Sequence, residues 1–258
     1  MPKKRLDVLM VEKGLVDSRS LAQRMVMAGQ VRVDGELILK SSSRFDAGSQ
    51  ISLEKGPRFV SRGGEKLAAA FEAFDLSASE KTCADVGAST GGFTDCLLQY
   101  GARLVYAIDV GKGILHWKIR QRKDVIVMEK TNARYVESLP EPVQLVTIDA
   151  SFISLKTLLP VVLNWLPGSG DIIALIKPQF EAGRKEVSRG DGVIRNAEVH
   201  QSVLEHILSA SQEMGLGVKG LVRSPLVGPK GNVEFLAWLT FPGEPGDFHE
   251  MIQAVMIE

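Results

Sequence analysis

The sequence predicts an α/β protein, in which a doubly wound, mostly parallel sheet follows a small α+β domain. From about residue 63 onward, short apolar runs alternate with longer amphipathic segments, the pattern of strands separated by helices in a parallel sheet. A glycine-rich loop follows the first of these runs. We therefore predict a small domain at residues 1–54, a linker at 55–62 and a Rossmann-like domain at 63–258.

Composition excludes several classes of protein. The 258 residues carry 31 Lys and Arg against 31 Asp and Glu, and 45% are hydrophobic. The chain lacks an 18-residue apolar run and the features of a secretory signal, so we expect a cytoplasmic protein without a membrane partner. Cys83 and Cys96 make no disulfide framework, and the four histidines show no metal-ligand spacing, so no metal is expected.

The first domain is predicted to contain two short helices and a hairpin. Residues 5–14 form the first helical segment, and the second is capped by Asp17 or Ser18 and ends at Gly29. Alternating apolar residues flank the dipeptide Asp-Gly at 34–35, which suits a tight primed turn between two strands. These elements form a small α+β unit.

The first domain also resembles a known RNA-binding module. Residues 1–60 carry eleven Lys and Arg against seven Asp and Glu, an excess that favours a polyanionic partner. The stretch "SRSLAQRMVMAGQVRVDG" resembles the alpha-L RNA-binding module of a small-subunit ribosomal protein, pseudouridine synthases and bacterial tyrosyl-tRNA synthetases. That resemblance implies phosphate contacts by arginines here, although arginines also serve only to solubilise a helix face. With Arg62 of the linker, the predicted RNA-binding residues are Arg5, Arg19, Arg24, Arg32 and Arg62.

The second domain shows the alternation of strands and helices in detail. Strands are predicted near residues 82–86, 104–108, 125–128, 144–149 and 171–176, with a strand pair near 218–224 and 233–241. Helices are predicted near 65–74, 92–100, 113–121, 154–164 and 197–214.

The glycine-rich loop "ADVGASTGGFTD" admits three interpretations. A P-loop shares the spacing from Gly87 to Gly92, but it needs Lys and then Ser or Thr where this chain has Phe93 and Thr94. The dinucleotide fingerprint fails because Ser89 stands at its second glycine. The loop of an S-adenosylmethionine site remains, beside the simpler alternative of a tight turn from strand to helix.

Carboxylates around the loop support the S-adenosylmethionine interpretation. Asp85 lies at the end of the first strand, and Asp109 follows the next strand, where a doubly wound fold places a carboxylate for ribose hydroxyls. Glu129 and Asn132 are candidates for the adenine side, although a polar turn explains them equally well. The predicted cofactor-binding residues are Asp85, Gly87, Ala88, Ser89, Thr90, Gly91, Gly92, Phe93, Asp109, Glu129, Asn132 and Asp149.

The residues after the fourth strand favour methylation of a hydroxyl group. Methylation of base amines uses an Asp/Asn-Pro-Pro-aromatic stretch where this chain has "DASF". Methylation of cytosine at carbon 5 needs a cysteine nucleophile, and both cysteines of this chain face the predicted core. A hydroxyl needs a base or a cationic field to handle its proton. Carboxyl ends of parallel strands share one edge, so Asp149 and Lys177 are expected to meet there, although structural salt bridges also arise in this way.

Four residues then match the catalytic tetrad of FtsJ-type ribose 2′-O-methyltransferases. They are Lys66, Asp149, Lys177 and Glu234. Together with the alpha-L module, "SRGGEKL", "DVGASTGGFTD", "IDASFISL", "LIKPQFE" and "GPKGNVEFLAWL" make the whole chain similar to the TlyA family. The resemblance implies a class I S-adenosylmethionine-dependent methyltransferase fold and transfer to a ribose of ribosomal RNA, at a cytidine, within ribosomal subunits. Lys177 would then be the base or the cationic clamp.

A charged segment at 180–196 follows the fifth strand. Arg184, Lys185, Arg189 and Arg195 are candidates for contacts to the RNA backbone, although a solvated loop without a partner is the alternative. Two other functions stay open for the chain. The hemolysin label used in the family suggests a membrane-lytic protein, and the fold also suits a non-catalytic ribosome-assembly factor.

Overall fold

The structure is a computed structural model that describes residues 3–54, 56–183, 192–228 and 230–257. The chain forms two compact units, Met1–Arg58 and Phe59–Glu258.

The first unit combines two helices with short strands. A three-stranded antiparallel sheet has the order β3-β2-β5, and β1 pairs with β4. The elements are β1 (Lys4–Arg5), α1 (Leu6–Glu12), α2 (Arg19–Met27), β2 (Val31–Val33), β3 (Glu36–Leu37), β4 (Arg44–Phe45) and β5 (Ile51–Leu53).

Local chemistry explains where these elements begin and turn. Ser18 caps α2, because its hydroxyl accepts a hydrogen bond from the Leu21 amide at 3.2 Å. Asp34 and Gly35 both have positive φ, 52° and 87°, as a primed turn between β2 and β3 requires. The predicted helices and hairpin of the first unit are therefore confirmed.

The first helix carries a fully buried carboxylate, Asp7. Its oxygens accept hydrogen bonds from Arg5 (2.9 Å to each oxygen), Arg19 (3.1 Å) and Gln23 (2.7 Å). The Arg5 hydrogen bond and those of Gln23 and Arg19 hold the pKa of Asp7 well below its usual range. The carboxylate therefore joins the first and second helices of the unit.

We expect Asp7→Asn to destabilise the first unit by about 1–3 kcal/mol at neutral pH, because the two guanidinium groups lose a negatively charged acceptor and one acceptor oxygen becomes an NH2 donor. Because the pKa of Asp7 is lower in the folded state than in the unfolded chain, where it is about 4, the carboxylate adds stability that is fully present above about pH 4. That stability is lost as the pH falls further. Hydrogen exchange of the amides in α1 and α2, at pH 7 and at low pH, measures the effect. The exposed Asp17→Asn variant is the control, and equal protection in both variants at pH 7 would contradict the assignment.

The second unit is built on a seven-stranded sheet of order β11-β12-β10-β9-β6-β7-β8. The five strands from β10 to β8 are parallel, whereas β12 is antiparallel to both β10 and β11. The strands are β6 (Thr82–Val86), β7 (Leu104–Ile108), β8 (Val125–Met128), β9 (Leu145–Ile148), β10 (Gly170–Ile176), β11 (Gly217–Arg223) and β12 (Phe235–Phe241).

Helices cover both faces of this sheet. They are α3 (Gly63–Phe74), α4 (Gly92–Gln99), α5 (Trp117–Arg120), α6 (Leu155–Leu163), α7 (Pro178–Glu181), α8 (Ala197–Glu213) and α9 (His249–Ile257). The Rossmann-like prediction is confirmed. The helix predicted at 113–121 is wrong in extent, since only its last part is helical and Gly113 has a φ of 72°.

The buried strands decide where functional groups can lie. β6 and β9 are buried along their whole length, and β10 from Ile172 onward, so polar chemistry concentrates where the parallel strands end. Ligands of open α/β sheets bind at this carboxyl edge. Within the described ranges, none of the helices combines the length and apolar character needed to cross a bilayer.

Candidate active site

The lysine that follows β10, Lys177, is buried and points at a carboxylate. Its Nζ lies 2.5 Å from Asp149 Oδ1 and donates a hydrogen bond to Ser151 Oγ at 3.1 Å. Pro178 at the first turn of α7 ends the strand at this point, since its nitrogen has no hydrogen to donate. The structure therefore brings Asp149 and Lys177 together at the carboxyl edge of the sheet, as the sequence predicted.

A second ion pair lies next to the first. Lys66 of α3 and Glu234, just before β12, approach to 2.5 Å, and Glu234 is only 2% exposed. Gln179 of α7 donates a hydrogen bond to the other oxygen of Glu234 at 3.4 Å. Because Gln179 lies two residues after Lys177, α7 links the two pairs.

The glycine-rich loop packs against the start of the Asp149 segment. Gly87 has a φ of 86°, and a Cβ at this position would lie 2.7 Å from the Asp149 carbonyl oxygen. The amides of Gly87 and Ala88 both donate hydrogen bonds to the Ile108 carbonyl, at 2.9 and 3.1 Å. The loop is therefore fixed against both neighbouring strand ends.

Two cavities open on either side of this loop. We call the first, of about 230 Å³, the Lys66 cavity, and it is lined by Lys66, Arg62 and loop residues. The second, of about 300 Å³, we call the Asp109 cavity, and it is lined by Asp109 with apolar side chains that include Ile114. Both cavities share Gly87, Ser89 and Asp149.

Most of the predicted cofactor residues line one of these cavities. Asp109 accepts hydrogen bonds from the amides of Ser89 (2.8 Å) and Gly111 (2.6 Å), which fixes its carboxylate at the cavity wall. Those that line a cavity are Gly87, Ala88, Ser89, Thr90, Gly92, Phe93, Asp109, Asn132 and Asp149. Gly91, Asp85 and Glu129 line neither.

Asp85 and Glu129 face away from the cavities for different reasons. Asp85 lies within β6, one residue before its end, and is fully buried; its carboxylate accepts from Thr94 (2.6 Å) and Thr147 (3.2 Å). Glu129 instead accepts from the Gly113 amide at 2.8 Å and pairs with Arg120. Asp85 therefore lies in the interior of the sheet and Glu129 is held by the turn at Gly113, so neither lines a cavity wall.

Comparison with known proteins decides the family. Residues 59–241 match the model of the FtsJ-like methyltransferase family, and residues 4–51 match the S4 domain. This chain belongs to the FtsJ-like methyltransferase family. Its alpha-L module is thereby identified as the S4 domain.

Relatives of this FtsJ-like methyltransferase place it among the TlyA proteins. The 16S/23S rRNA (cytidine-2′-O)-methyltransferase TlyA of Mycobacterium tuberculosis is 40% identical over 239 residues, covering 91% of this chain and 89% of that protein. Hemolysin A of Brachyspira hyodysenteriae is 39% identical, covering 90% and 98%. A solved structure of a candidate hemolysin from Streptococcus thermophilus has a TM-score of 0.76 at 43% identity, covering 100% and 95%.

The arginines predicted to bind RNA have different environments in this FtsJ-like methyltransferase. Arg5 and Arg19 hydrogen-bond to Asp7, Arg32 pairs with Glu54, and Arg24 is exposed. Arg62 is exposed and lines the Lys66 cavity. Arg184, Lys185 and Arg189 lie outside the described residues.

Sequence reasoning missed three groups at this site. Ser151 and Gln179 each contact a tetrad member, and both lie within two residues of one, which was an available signal. Glu181 is mostly buried and accepts hydrogen bonds from Ser154 Oγ at 2.6 Å and the Leu155 amide at 2.8 Å. It thereby joins the end of α7 to the start of α6, a contact that no local pattern indicated.

The buried Asp85 makes stability depend on pH. Burial, opposed by the Thr94 hydrogen bond, raises the pKa of Asp85 to about 7. A raised pKa in a carboxyl group means that the folded state loses stability as the pH rises from about 4, the unfolded value, to about 7. We expect Asp85→Asn to remove this part of the pH dependence.

Urea denaturation of the wild-type protein and Asp85→Asn at pH 5 and pH 8 measures this effect. The free energy of unfolding of Asp85→Asn, relative to wild type, should rise between the two pH values. Asp95→Asn, which changes a partly buried carboxylate in α4, is the control. If the free energies of unfolding of Asp85→Asn and wild type change in parallel with pH, Asp85 is ionised in both the folded and the unfolded state.

Proposed function

We propose that this chain transfers the methyl group of S-adenosylmethionine to the 2′-hydroxyl of a cytidine in ribosomal RNA. The proposal rests on one observation: two short ion pairs lie beside the two cavities, one between Lys177 and Asp149 and the other between Lys66 and Glu234. Asp149 lines both cavities and Lys66 lines one of them, so each ion pair has one member at a cavity wall.

The Asp109 cavity suits the cofactor. Its apolar wall, which includes Val110 and Ile114, fits an adenine ring, and the Asp109 carboxylate can still accept hydrogen bonds from ribose hydroxyls. The Gly87 turn lets the backbone come close to the ligand. When bound, S-adenosylmethionine supplies an electrophilic methyl group on a sulfonium.

The residues of the chain then handle the acceptor hydroxyl. As a neutral amine, Lys177 would accept the proton of the 2′-hydroxyl and become an ammonium; as an ammonium from the start, it would stabilise the oxygen while the proton leaves to water. Asp149 and Ser151 hold its Nζ in place. The Lys66–Glu234 pair positions the ribose from the other side. Most of the rate enhancement comes from holding the oxygen in line with the methyl group.

The substrate assignment rests on the S4 domain and on the TlyA relatives, one of which is named for cytidine 2′-O-methylation of 16S and 23S rRNA. Ribose is read through its 2′-hydroxyl, the group that distinguishes RNA from DNA. The arginines of the first unit, Arg5, Arg19, Arg24 and Arg32, would supply phosphate contacts and affinity.

The test uses purified protein, S-adenosylmethionine carrying a labelled methyl group, and separated small and large ribosomal subunits from a strain that lacks this gene. Label should appear in RNA, on a nucleotide that digestion and mass spectrometry identify as 2′-O-methylcytidine. Label on a base, or on protein, would contradict the proposal. Leakage of dye from liposomes without RNA methylation would favour a membrane-lytic function instead.

A further inference from the structure

A small pocket lies on the face of the sheet that α8 and α9 cover, and it shares no lining residue with the two cavities at the glycine loop. Its volume is about 190 Å³, and its lining brings together Arg195, Arg223 and His200 with the apolar side chains of Phe235, Val255 and Met256. We call it the Arg195 pocket. The residues come from the end of β11, the start of β12, the start of α8 with the residue pair before it, and the end of α9, so four elements build it.

The pocket is positively charged. Among the described residues, neither Arg195 nor Arg223 lies within ion-pair distance of a carboxylate, and the lining of the pocket contains no acidic side chain. By contrast, Arg103, Arg120 and Arg122 each pair with an acid. Two guanidinium groups in one cavity, without a carboxylate partner among the described residues, favour an anionic occupant.

The histidine adds a fixed polar wall. His200 is 6% exposed and its Nε2 lies 3.0 Å from the Ile194 carbonyl oxygen, as a donor would. Burial lowers the pKa of His200, and the charge on Arg223 lowers it further. The positive charge of the pocket therefore comes from the two arginines rather than from the imidazole.

The pocket lies at the same edge of the sheet as the proposed active site. Arg223 pairs with Phe235 across β11 and β12, and Phe235 in turn pairs with Ile176, the residue before Lys177. Two strand spacings, about 10 Å, separate these backbone positions. A strand of RNA that places a ribose at Lys177 can therefore extend over the pocket.

We propose that Arg195 and Arg223 bind a phosphodiester group of the substrate RNA, next to the nucleotide that receives the methyl group. This proposal rests on the proposed function. Guanidinium groups bind phosphate oxygens through paired N–H donors, and such contacts position the strand without selecting its sequence. The pocket is thus a backbone site, in addition to the S4 domain, that orients the strand at the sheet edge.

The test compares the wild-type protein with Arg195→Gln, Arg223→Gln and the double variant. Binding of labelled RNA and of ribosomal subunits is measured at several salt concentrations, together with KM and kcat for methylation. In the double variant we expect KM for RNA to rise roughly tenfold and the salt dependence of binding to weaken by about one counterion. KM for S-adenosylmethionine should not change.

Arg103→Gln is the matched control. Like each single variant, it removes one positive charge, here at the opposite, amino-terminal edge of the sheet, where Arg103 pairs with Glu141. Thermal unfolding of each variant separates a folding defect from a binding defect. Wild-type RNA affinity and salt dependence in the double variant would overturn the proposal.

Two further outcomes separate this proposal from the proposed function. If the wild-type protein methylates no RNA but the double variant still loses RNA affinity, the RNA-binding role of the pocket is supported and the proposed methylation is contradicted. If calorimetry shows that inorganic phosphate binds the wild-type protein but not the double variant, while RNA binding and KM are equal in both, the site serves a free anion and the proposal is overturned.

Discussion

Replacing Lys177 by alanine is expected to lower the rate of methyl transfer by about 10²–10⁴-fold, the range typical of a general acid–base group. The binding of S-adenosylmethionine should change little, because Lys177 lines neither of the cavities beside the glycine loop. Single-turnover transfer to ribosomal subunits and calorimetric cofactor binding measure the two effects. A variant that loses both would indicate that Lys177 supports the fold of the site instead.

Lys177→Arg separates the two roles proposed for this lysine. Arginine keeps the positive charge but does not release its proton in proteins, so it serves as a clamp and not as a base. We expect Lys177→Arg to be nearly as impaired as Lys177→Ala. Activity close to the wild-type value would assign a purely electrostatic role. Lys156→Ala is the control, since its amine contacts His206 at 2.7 Å, away from the tetrad.

Gly87→Ala is expected to weaken cofactor binding by roughly tenfold or more, which corresponds to about 1.4 kcal/mol or above. The new Cβ would lie 2.7 Å from the carbonyl oxygen and 2.9 Å from the carbonyl carbon of Asp149. Since these are backbone atoms, the loop or the Asp149 segment must move, and such overpacking typically costs about 1–3 kcal/mol. Titration with S-adenosylmethionine, together with methyl-transfer rates, measures the loss.

Gly113→Ala is the matched control for this variant. Gly113 also has a positive φ, 72°, but a Cβ there meets nothing within 4 Å. It therefore reports the conformational cost of alanine without the steric overlap. Equal cofactor affinities in Gly87→Ala and Gly113→Ala would show that the contact with Asp149 does not shape the cofactor site.

Local patterns predicted much of the second unit because they act over a few residues. The apolar run before Lys177 and the proline after it predicted the end of β10 correctly, and the structure adds that Pro178 begins α7. The helix His249–Ile257 was missed, although Phe248, Met251, Ile252 and Val255 have helical spacing. The helix predicted at 113–121 was too long because Gly113 has a positive φ and its amide donates a hydrogen bond to the Glu129 carboxylate, which favours a loop at the predicted start.

The carboxylates show why local signals are insufficient for a site. Asp85 and Asp109 looked equivalent in the sequence, because each lies at the end of a strand before a loop. In the structure Asp109 lies at a cavity wall, whereas Asp85 is enclosed by Thr94 and Thr147. The direction of a side chain at a strand end depends on the pleat and on the loop that follows, and one residue reverses it.

The sequence by itself determined the strands, the glycine loop, the strand-end lysine and the two-part organisation, because periodicity and turn chemistry are local. Only the tertiary structure decided that Lys66 pairs with Glu234, which lies 168 residues away, and that α7 joins this pair to Lys177. It also assembled the Arg195 pocket from four separate elements. The physical reason is that strand order and helix packing are long-range properties, set by how the whole apolar surface of the sheet is buried.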